Sequence, residues 1–361
     1  MSPPDRLALG LISGTSMDGI DAALIETDGE RVGARRGAIT LPYAPALRTE
    51  LLAIAADAAR AAGPLDAIED AVTQANAAAA RAVIEQAGLT ADAVAVVGLH
   101  GQTVLHRPER RYTRQLGDGA LLARLLGIDV IAGFRLADVA AGGQGAPFAP
   151  LYHAALARDL PQPLAVLNLG GVANVTFLDG ETIIAFDTGP ASAMLDDWVR
   201  RHTGMAFDDG GRIAASGHVD QDRLARLLSH EFFALKPPKS LDRNDFPLSG
   251  IEDLSLADGA ATLAAFTVAS IAASRAHLPA LPSRWLVAGG GRHNVTLMGG
   301  LAAALEVPVA PVESVGWNGD SLEAELFGFL AVRALHGLPL SLPSTTGVPR
   351  PMPGGVIHRA G

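Results

Sequence analysis

Apolar positions 7–12 form a short unbroken run that ends in Ser13-Gly14-Thr15-Ser16, and a second extended apolar run follows at residues 20–27. Two short runs joined by small polar residues predict a strand–turn–strand hairpin. The turn does not open a helix, which argues against Walker-type and dinucleotide-binding loops, since both lead from a strand into a helix. The pattern recurs at residues 164–169, 173–178 and 182–186, with turns at Gly170-Gly171 and Asp179-Gly180. Asp-Gly between apolar runs is a strong hairpin signal. Two meanders in corresponding places predict a duplicated domain.

Each meander leads into helical periodicity. In the first half the expected elements are helices at 46–62 and 70–87, a strand at 93–99 ending in His100-Gly101-Gln102-Thr103, a helix at 119–126 and a strand at 128–132. In the second half they are helices at 191–202 and 260–276, a strand at 284–288 ending in Gly289-Gly290-Gly291, and helices at 294–305 and 321–336. Alternating strands and helices predict mixed sheets with helices on their faces. The Gly/Ala/Pro-rich stretch 138–150 is expected to join two lobes and to absorb their closure. The expected division is an N-terminal lobe at 1–140, a C-terminal lobe at 141–340 and a mostly coil tail at 341–361.

Composition narrows the functional classes. A chain of 361 residues has two domains as its natural prior. The net charge is −10 and no Lys/Arg cluster stands free of acid, so no nucleic-acid partner is expected. There is no cysteine, which removes disulfides, thiolate metal sites and cysteine nucleophiles together. The first apolar run is short and has no basic flank. No signal peptide or membrane span is expected, and a cytoplasmic location is the default.

Four strand ends carry candidate chemistry. Gly14, Thr15, Ser16, Met17, Asp18 and Gly19, with Ile20 and Asp21 beginning the next strand, offer bare backbone and hydroxyls to a polyphosphate. Asp187, in Phe186-Asp187-Thr188-Gly189-Pro190, ends an apolar run where ligands meet open α/β sheets, and suits a general base. Helix capping is its bland alternative, although Thr188 or Ser192 would serve as well. Gly289, Gly290 and Gly291 would let a nucleoside pack on backbone, or simply make a tight turn. His100 and Gln102 could hydrogen-bond a sugar, against the commoner structural role of a lone histidine. Glu323, in the first turn of an expected helix, has helix-dipole stabilisation as its ordinary reading. His202, His218, His230 and His293 lack metal-ligand spacing, and no protein metal site is assigned.

These strings taken together resemble the anhydro-N-acetylmuramic acid kinases of the hexokinase–acetate kinase–actin superfamily. The resemblance runs from Leu9 to about His336. It rests on residues 13–21, 100–103, 140–147 (Ala-Ala-Gly-Gly-Gln-Gly-Ala-Pro), 168–174 (Asn-Leu-Gly-Gly-Val-Ala-Asn), 186–190, 237–240 (Pro-Pro-Lys-Ser), 289–294 and 320–324. It implies a two-lobed actin-like (ribonuclease H-like) α/β fold with duplicated mixed-sheet domains and an interlobe cleft. It also implies ATP and Mg²⁺ as cofactors, a small-molecule sugar substrate and a homodimer. The phosphates would lie at residues 14–21 with Gly170 and Gly171, and the adenosine near residues 289–291. Asp187 matches the family's catalytic carboxylate, Glu323 its partner at the sugar, and His100, Gln102 and Asn174 fall on the substrate side. The implied reaction phosphorylates O6 of 1,6-anhydro-N-acetylmuramic acid while water opens the anhydro bond.

The chain departs from the family pattern at Gly133-Phe134-Arg135, where Asp-Phe-Arg is common, and after Pro-Pro-Lys-Ser, where Arg243 is kept in altered surroundings. Two other readings compete. A conventional kinase would use Asp187 to deprotonate a hydroxyl. An ATP-gated binding module would need a partner domain or a filament surface.

Overall fold

A computed structural model describes residues 5–14, 16–241 and 246–361. Thr15 and Arg243 lie outside the described residues. Contacts divide the chain into two compact units, Met1–Arg158 with Ser321–Gly361, and Asp159–Asp320.

In the first unit, β1 (Arg6–Ser13), β2 (Gly19–Thr27) and β3 (Val32–Pro42) form the antiparallel meander that the alternation predicts. β4 (Val96–Arg107) pairs parallel to β1, and β6 (Val130–Ala132) parallel to β4. β5 (Tyr112–Leu116), which the sequence pattern did not reveal, folds back on β4. β4 is twelve residues long and runs on through His100–Thr103, so those residues lie within a strand and not at its end. Gly101 permits this: its φ is +75°, and a Cβ there would meet the Leu116 carbonyl oxygen at 2.3 Å.

In the second unit, β7 (Leu164–Leu169), β8 (Val172–Asp179) and β9 (Thr182–Pro190) form the second meander. β10 (Trp285–Ala288) joins β7 in parallel, and β11 (Val309–Pro311) joins β10. The order β3-β2-β1-β4-β6 in one sheet is thus repeated as β9-β8-β7-β10-β11 in the other. This is the duplicated ribonuclease H-like arrangement of the actin-like class expected from the sequence.

Two organisational expectations are corrected. The stretch 138–150 is not where the units part. It is embedded in the first unit, where Asp138 is 2% exposed and accepts hydrogen bonds from Gly145 N, Ser341 Oγ and Thr346 Oγ1. The chain passes between units after Arg158 and again after Asp320. Residues 321–340, expected in the C-terminal lobe, belong to the first unit. The tail is mostly coil as expected, apart from helix Pro343–Thr346 and β12 (Val356–His358), which pairs antiparallel with β6.

Helix Leu322–Leu335 is seated on the first sheet by glycine. A Cβ at Gly10 would lie 1.8 Å from the Ala324 carbonyl oxygen, and one at Gly98 2.0 Å from that of Phe327. Helix and strand backbones therefore touch, and any side chain there would push the helix off. In the second unit, helix Leu256–Ser274 is apolar enough to cross a membrane by composition, but it is a core helix. Its Gly259 packs against the Trp198 ring, and Trp198 Nε1 donates to Leu256 O at 2.9 Å.

Candidate active site

Asp187 lies inside β9, three residues before its end, and caps no helix: helix Ser192–Thr203 has Ala191 at its N-cap and no side-chain cap. Thr188 Oγ1 is spent on the Ala173 carbonyl at 3.2 Å. A clamp from the Pro-Pro-Lys-Ser segment fixes the acid instead. Asp187 N donates to Lys239 O at 3.0 Å, and Leu241 N donates to Asp187 Oδ2 at 2.8 Å. Burial pushes the Asp187 pKa up to about 7, against the Leu241 amide and the nearby Lys239 charge, which both pull it down. A carboxylate poised there can accept a proton near neutral pH. Lys239 is itself buried, donates to Phe232 O at 3.1 Å and sits 4.3 Å from that residue's ring centre. Asn174 stands opposite Asp187 in the β8–β9 register, so the two side chains share a face.

The glycines of this unit divide by role. Gly289 has φ +78°, and a Cβ there would come within 2.4 Å of Asn168 Oδ1. A Cβ at Gly291 would meet Leu169 Cβ at 2.7 Å. Close packing on the end of β7 therefore requires both. Gly290 is exposed with nothing within 4 Å of its Cβ position, which leaves it the bare backbone open to a nucleoside. Arg292 braces this turn by donating to Gly289 O, Glu313 Oε1 and Asp320 Oδ1. The carbonyls of Gly170 and Gly171 receive the Ser192 and Ala191 amides, so that turn is tied to the start of a helix.

In the first unit the loop after β1 is closed by local bonds. Met17 N donates to Gly14 O at 3.2 Å, Ser16 Oγ to Asp18 Oδ1 at 2.7 Å and Tyr43 N to Asp18 O at 3.1 Å. Met17 takes a left-handed φ of 51°, and Arg48 Nε holds its carbonyl at 3.2 Å. Ser13 Oγ donates to Gln102 Oε1 at 2.5 Å, and Gln102 Nε2 donates to Gly14 O at 3.3 Å. Gln102 is 1% exposed, so it shapes the loop from beneath. The Tyr43 hydroxyl is buried near Ser13 without a well-formed hydrogen bond, and burial pushes its pKa up to about 12.

His100, Arg135, Glu323 and Asp21 come together in the same unit. Both His100 ring nitrogens are engaged: Nδ1 faces Gly101 O at 2.9 Å, and Nε2 accepts from Arg135 Nε at 3.0 Å. That pair of partners defines a neutral ring with its proton on Nδ1. Burial, then the Arg135 charge, holds the His100 pKa well below its ordinary value. The geometry thus gives His100 an indirect part, through Arg135. Glu323 opens helix Leu322–Leu335; its surface is accessible but recessed among protein atoms. That desolvation raises its pKa, as does the neighbouring Asp21, while Arg135 lowers it. Burial brings Arg135 down to about 10, against the charges of Glu323 and Asp138. Two residues on, Glu325 is buried and accepts from Arg35 Nε at 3.0 Å, Tyr152 OH and Ser321 Oγ. It anchors the helix.

Sequence reasoning did not give roles to Lys239, Leu241 or Arg135. Lys239 and Arg135 stood in quoted strings, and a lone cation beside proline or glycine was the available signal. A concavity of about 510 Å³ in the first unit takes in His100, Glu69, Asp118, Gly133 and His358, but not Glu323, Gln102 or the loop after β1. Among the described residues no group of three or more His, Asp or Glu could hold a metal ion.

Residues 6–360 match the family model for anhydro-N-acetylmuramic acid kinase. The chain is 56% identical to the anhydro-N-acetylmuramic acid kinase of Acidiphilium cryptum, with 98% of each chain covered. It is 53% identical to that of Rhodospirillum rubrum, covering 98% of this chain and 94% of the relative. Among solved structures it is similar to a ROK family glucokinase from Streptomyces griseus in complex with glucose and AMPPNP. There the identity is 16%, the TM-score 0.43, and the coverage 90% of this chain and 99% of that one.

Proposed function

The chain belongs to the anhydro-N-acetylmuramic acid kinase family, and from that premise we propose that it opens 1,6-anhydro-N-acetylmuramic acid with water while phosphorylating O6 from ATP. The product is N-acetylmuramic acid 6-phosphate. O6 is an ether oxygen with no proton to lose, so a base aimed at it would be idle. Asp187 instead takes a proton from the water that attacks C1. The C1–O6 bond breaks, its electron pair stays on O6, and O6 receives the γ-phosphoryl group as ADP leaves. Phosphorylation thus replaces the general acid of an ordinary glycosidase. Glu323 orients the sugar or the attacking water.

The observation that carries this reading is the Asp187 carboxylate, clamped by Leu241 N and raised to about pKa 7 by burial. The loop 14–21, with Gly170 and Gly171, takes the phosphates, and Gly290 the nucleoside. Asp18 and Asp21 are the acids of that loop that would hold Mg²⁺, which when bound neutralises phosphate charge and polarises the transferring group. Asn174 belongs to the substrate side, whereas Gln102, expected there, instead shapes the phosphate loop from beneath. The same proposal has the enzyme working in the cytoplasm as a homodimer, without nucleic acid or membrane as partner. Mass measurement in solution and cell fractionation test those two points.

The decisive experiment supplies ATP, Mg²⁺ and the anhydro sugar in H₂¹⁸O. Label at C1 of a 6-phosphorylated product is expected. An unlabelled product, phosphorylated on another hydroxyl with the C1–O6 bond intact, would make Asp187 a base for a hydroxyl, and no turnover would end the reading.

A further inference from the structure

The C-terminal segment after helix Leu322–Leu335 is bonded into the first unit at a point that leads to Glu323. Arg333 Nε donates to Pro339 O at 2.7 Å, and Leu340 N to Met352 O at 2.7 Å, so both sides of the segment are fixed. Between them, Ser341 Oγ and Thr346 Oγ1 donate to Asp138 Oδ2 at 2.5 and 2.6 Å. Asp138 Oδ1 accepts from Gly145 N at 2.7 Å, and Gln144 N donates to Thr346 O at 2.7 Å. Ser341, Thr346 and Asp138 are each at most 2% exposed. A carboxylate buried to that degree needs its acceptor positions filled, and two of the three side-chain and amide donors here come from the tail. Gly143 closes the turn over it, because a Cβ there would lie 2.2 Å from Asp138 Oδ1 and 2.5 Å from Val348 Cγ1.

The turn held in this way carries the carbonyl of Gly145, which accepts from Arg135 Nη1. Arg135 Nε is held by His100, whose ring packs 4.6 Å from that of Phe327 on the helix bearing Glu323. Two of the guanidinium nitrogens are thus fixed, and Nη2 has no hydrogen-bond partner among the described residues. Arg135 and Glu323 lie within each other's electrostatic reach.

We propose that segment 341–346 is a positioning element of the substrate-side site: it latches Asp138, Asp138 sets Gly145, and Gly145 with His100 fixes Arg135 beside the helix that bears Glu323. The tail is then a working part of the enzyme, although none of its residues touches substrate. The kinetic half of this inference rests on the reaction proposed above.

The test uses the full chain carrying Ser341→Ala and Thr346→Val together. Expected are a fall of at least tenfold in kcat/KM for the anhydro sugar, unchanged nucleotide affinity, and hydrogen exchange at the Gly145 amide at least tenfold faster. Exchange and kcat/KM both within twofold of the parent would overturn the proposal. Faster exchange with unchanged kcat/KM would also overturn it, since the latch would then serve stability alone. Should the double variant not fold, Thr346→Val and Thr346→Ser decide: loss with valine and recovery with serine support the latch, and equal behaviour removes it. If the parent shows no turnover, the proposed reaction fails on its own. Gly145 exchange and the ¹⁵N shifts of the His100 ring, read in the same variants, then still decide whether the tail holds Arg135.

Discussion

In the second unit the acid proposed as the base, Asp187, sits in a strand, while in the first Glu323 sits on a helix laid across the equivalent sheet, and their surroundings differ. Asp187 has one fixed amide and a lysine already engaged by Phe232, so desolvation wins and its pKa reaches about 7. Glu323 is raised by burial first and by the neighbouring Asp21 charge next, while Arg135 pulls it down. The same strand order therefore holds two carboxylates that burial raises, one opposed by an amide and a lysine, the other set between an acid and an arginine. The lesson is that topology places a carboxylate, and the immediate partners decide what it can do.

The comparison breaks most directly at Asp187. Asp187→Asn is expected to lower kcat by about 10²–10⁴-fold, the range of a lost general base, with little change in KM for ATP. Steady-state kinetics with both substrates varied check this. A loss under tenfold would deny Asp187 its role.

The pH profile sharpens the contrast. The ionised form of Asp187 must act, so kcat/KM should rise with pH through about 7. Lys239 pulls that pKa down, so Lys239→Met should move the limb upward and cut the rate at pH 7 more than at pH 9. For stability the sign is opposite. The folded pKa lies above the unfolded value, so the contribution of Asp187 is present at low pH and is lost as pH climbs through about 7. Asp187→Asn should then melt higher than the parent at pH 8 while being nearly inactive. A lower melting temperature would show that the carboxylate is structural.

Next in size is the seat of the Glu323 helix. Gly10→Ala places a methyl group on the Ala324 carbonyl, and overpacking of this kind costs about 1–3 kcal/mol. Each kcal/mol lowers Tm by about 2–4 °C in a chain of this size. Calorimetry and kcat measured together should both fall, since Glu323 neighbours Ala324.

The smallest effect separates two adjacent glycines. Gly290→Ala should leave Tm unchanged, because nothing lies near its Cβ, yet raise KM for ATP severalfold if a nucleoside packs there. Gly289→Ala should destabilise, because of its left-handed φ and the approach of Asn168. Equal behaviour of the two variants would remove Gly290 from nucleotide binding.

The sequence by itself determined the two meanders and the type of the longer later elements, because strand alternation and Gly turns are local signals, while the short strands β5, β11 and β12 and several short helices escaped it. Helices 119–126 and 294–305 could be read almost to the residue, since Asp118 and Asn294 cap them with their own side chains. It also determined which carboxylates to watch, through ordered strings around residues 187 and 323. Tertiary structure alone decided which unit residues 321–361 join, that 138–150 is an anchored turn and not a junction, and that His100 and Gly145 hold Arg135. It also decided the proton affinity of Asp187. The physical reason is range: periodicity and capping act over a few residues, whereas desolvation and the bonds of Asp138 to Ser341 and Thr346 span some two hundred. No local pattern records which distant donors will close on a buried charge.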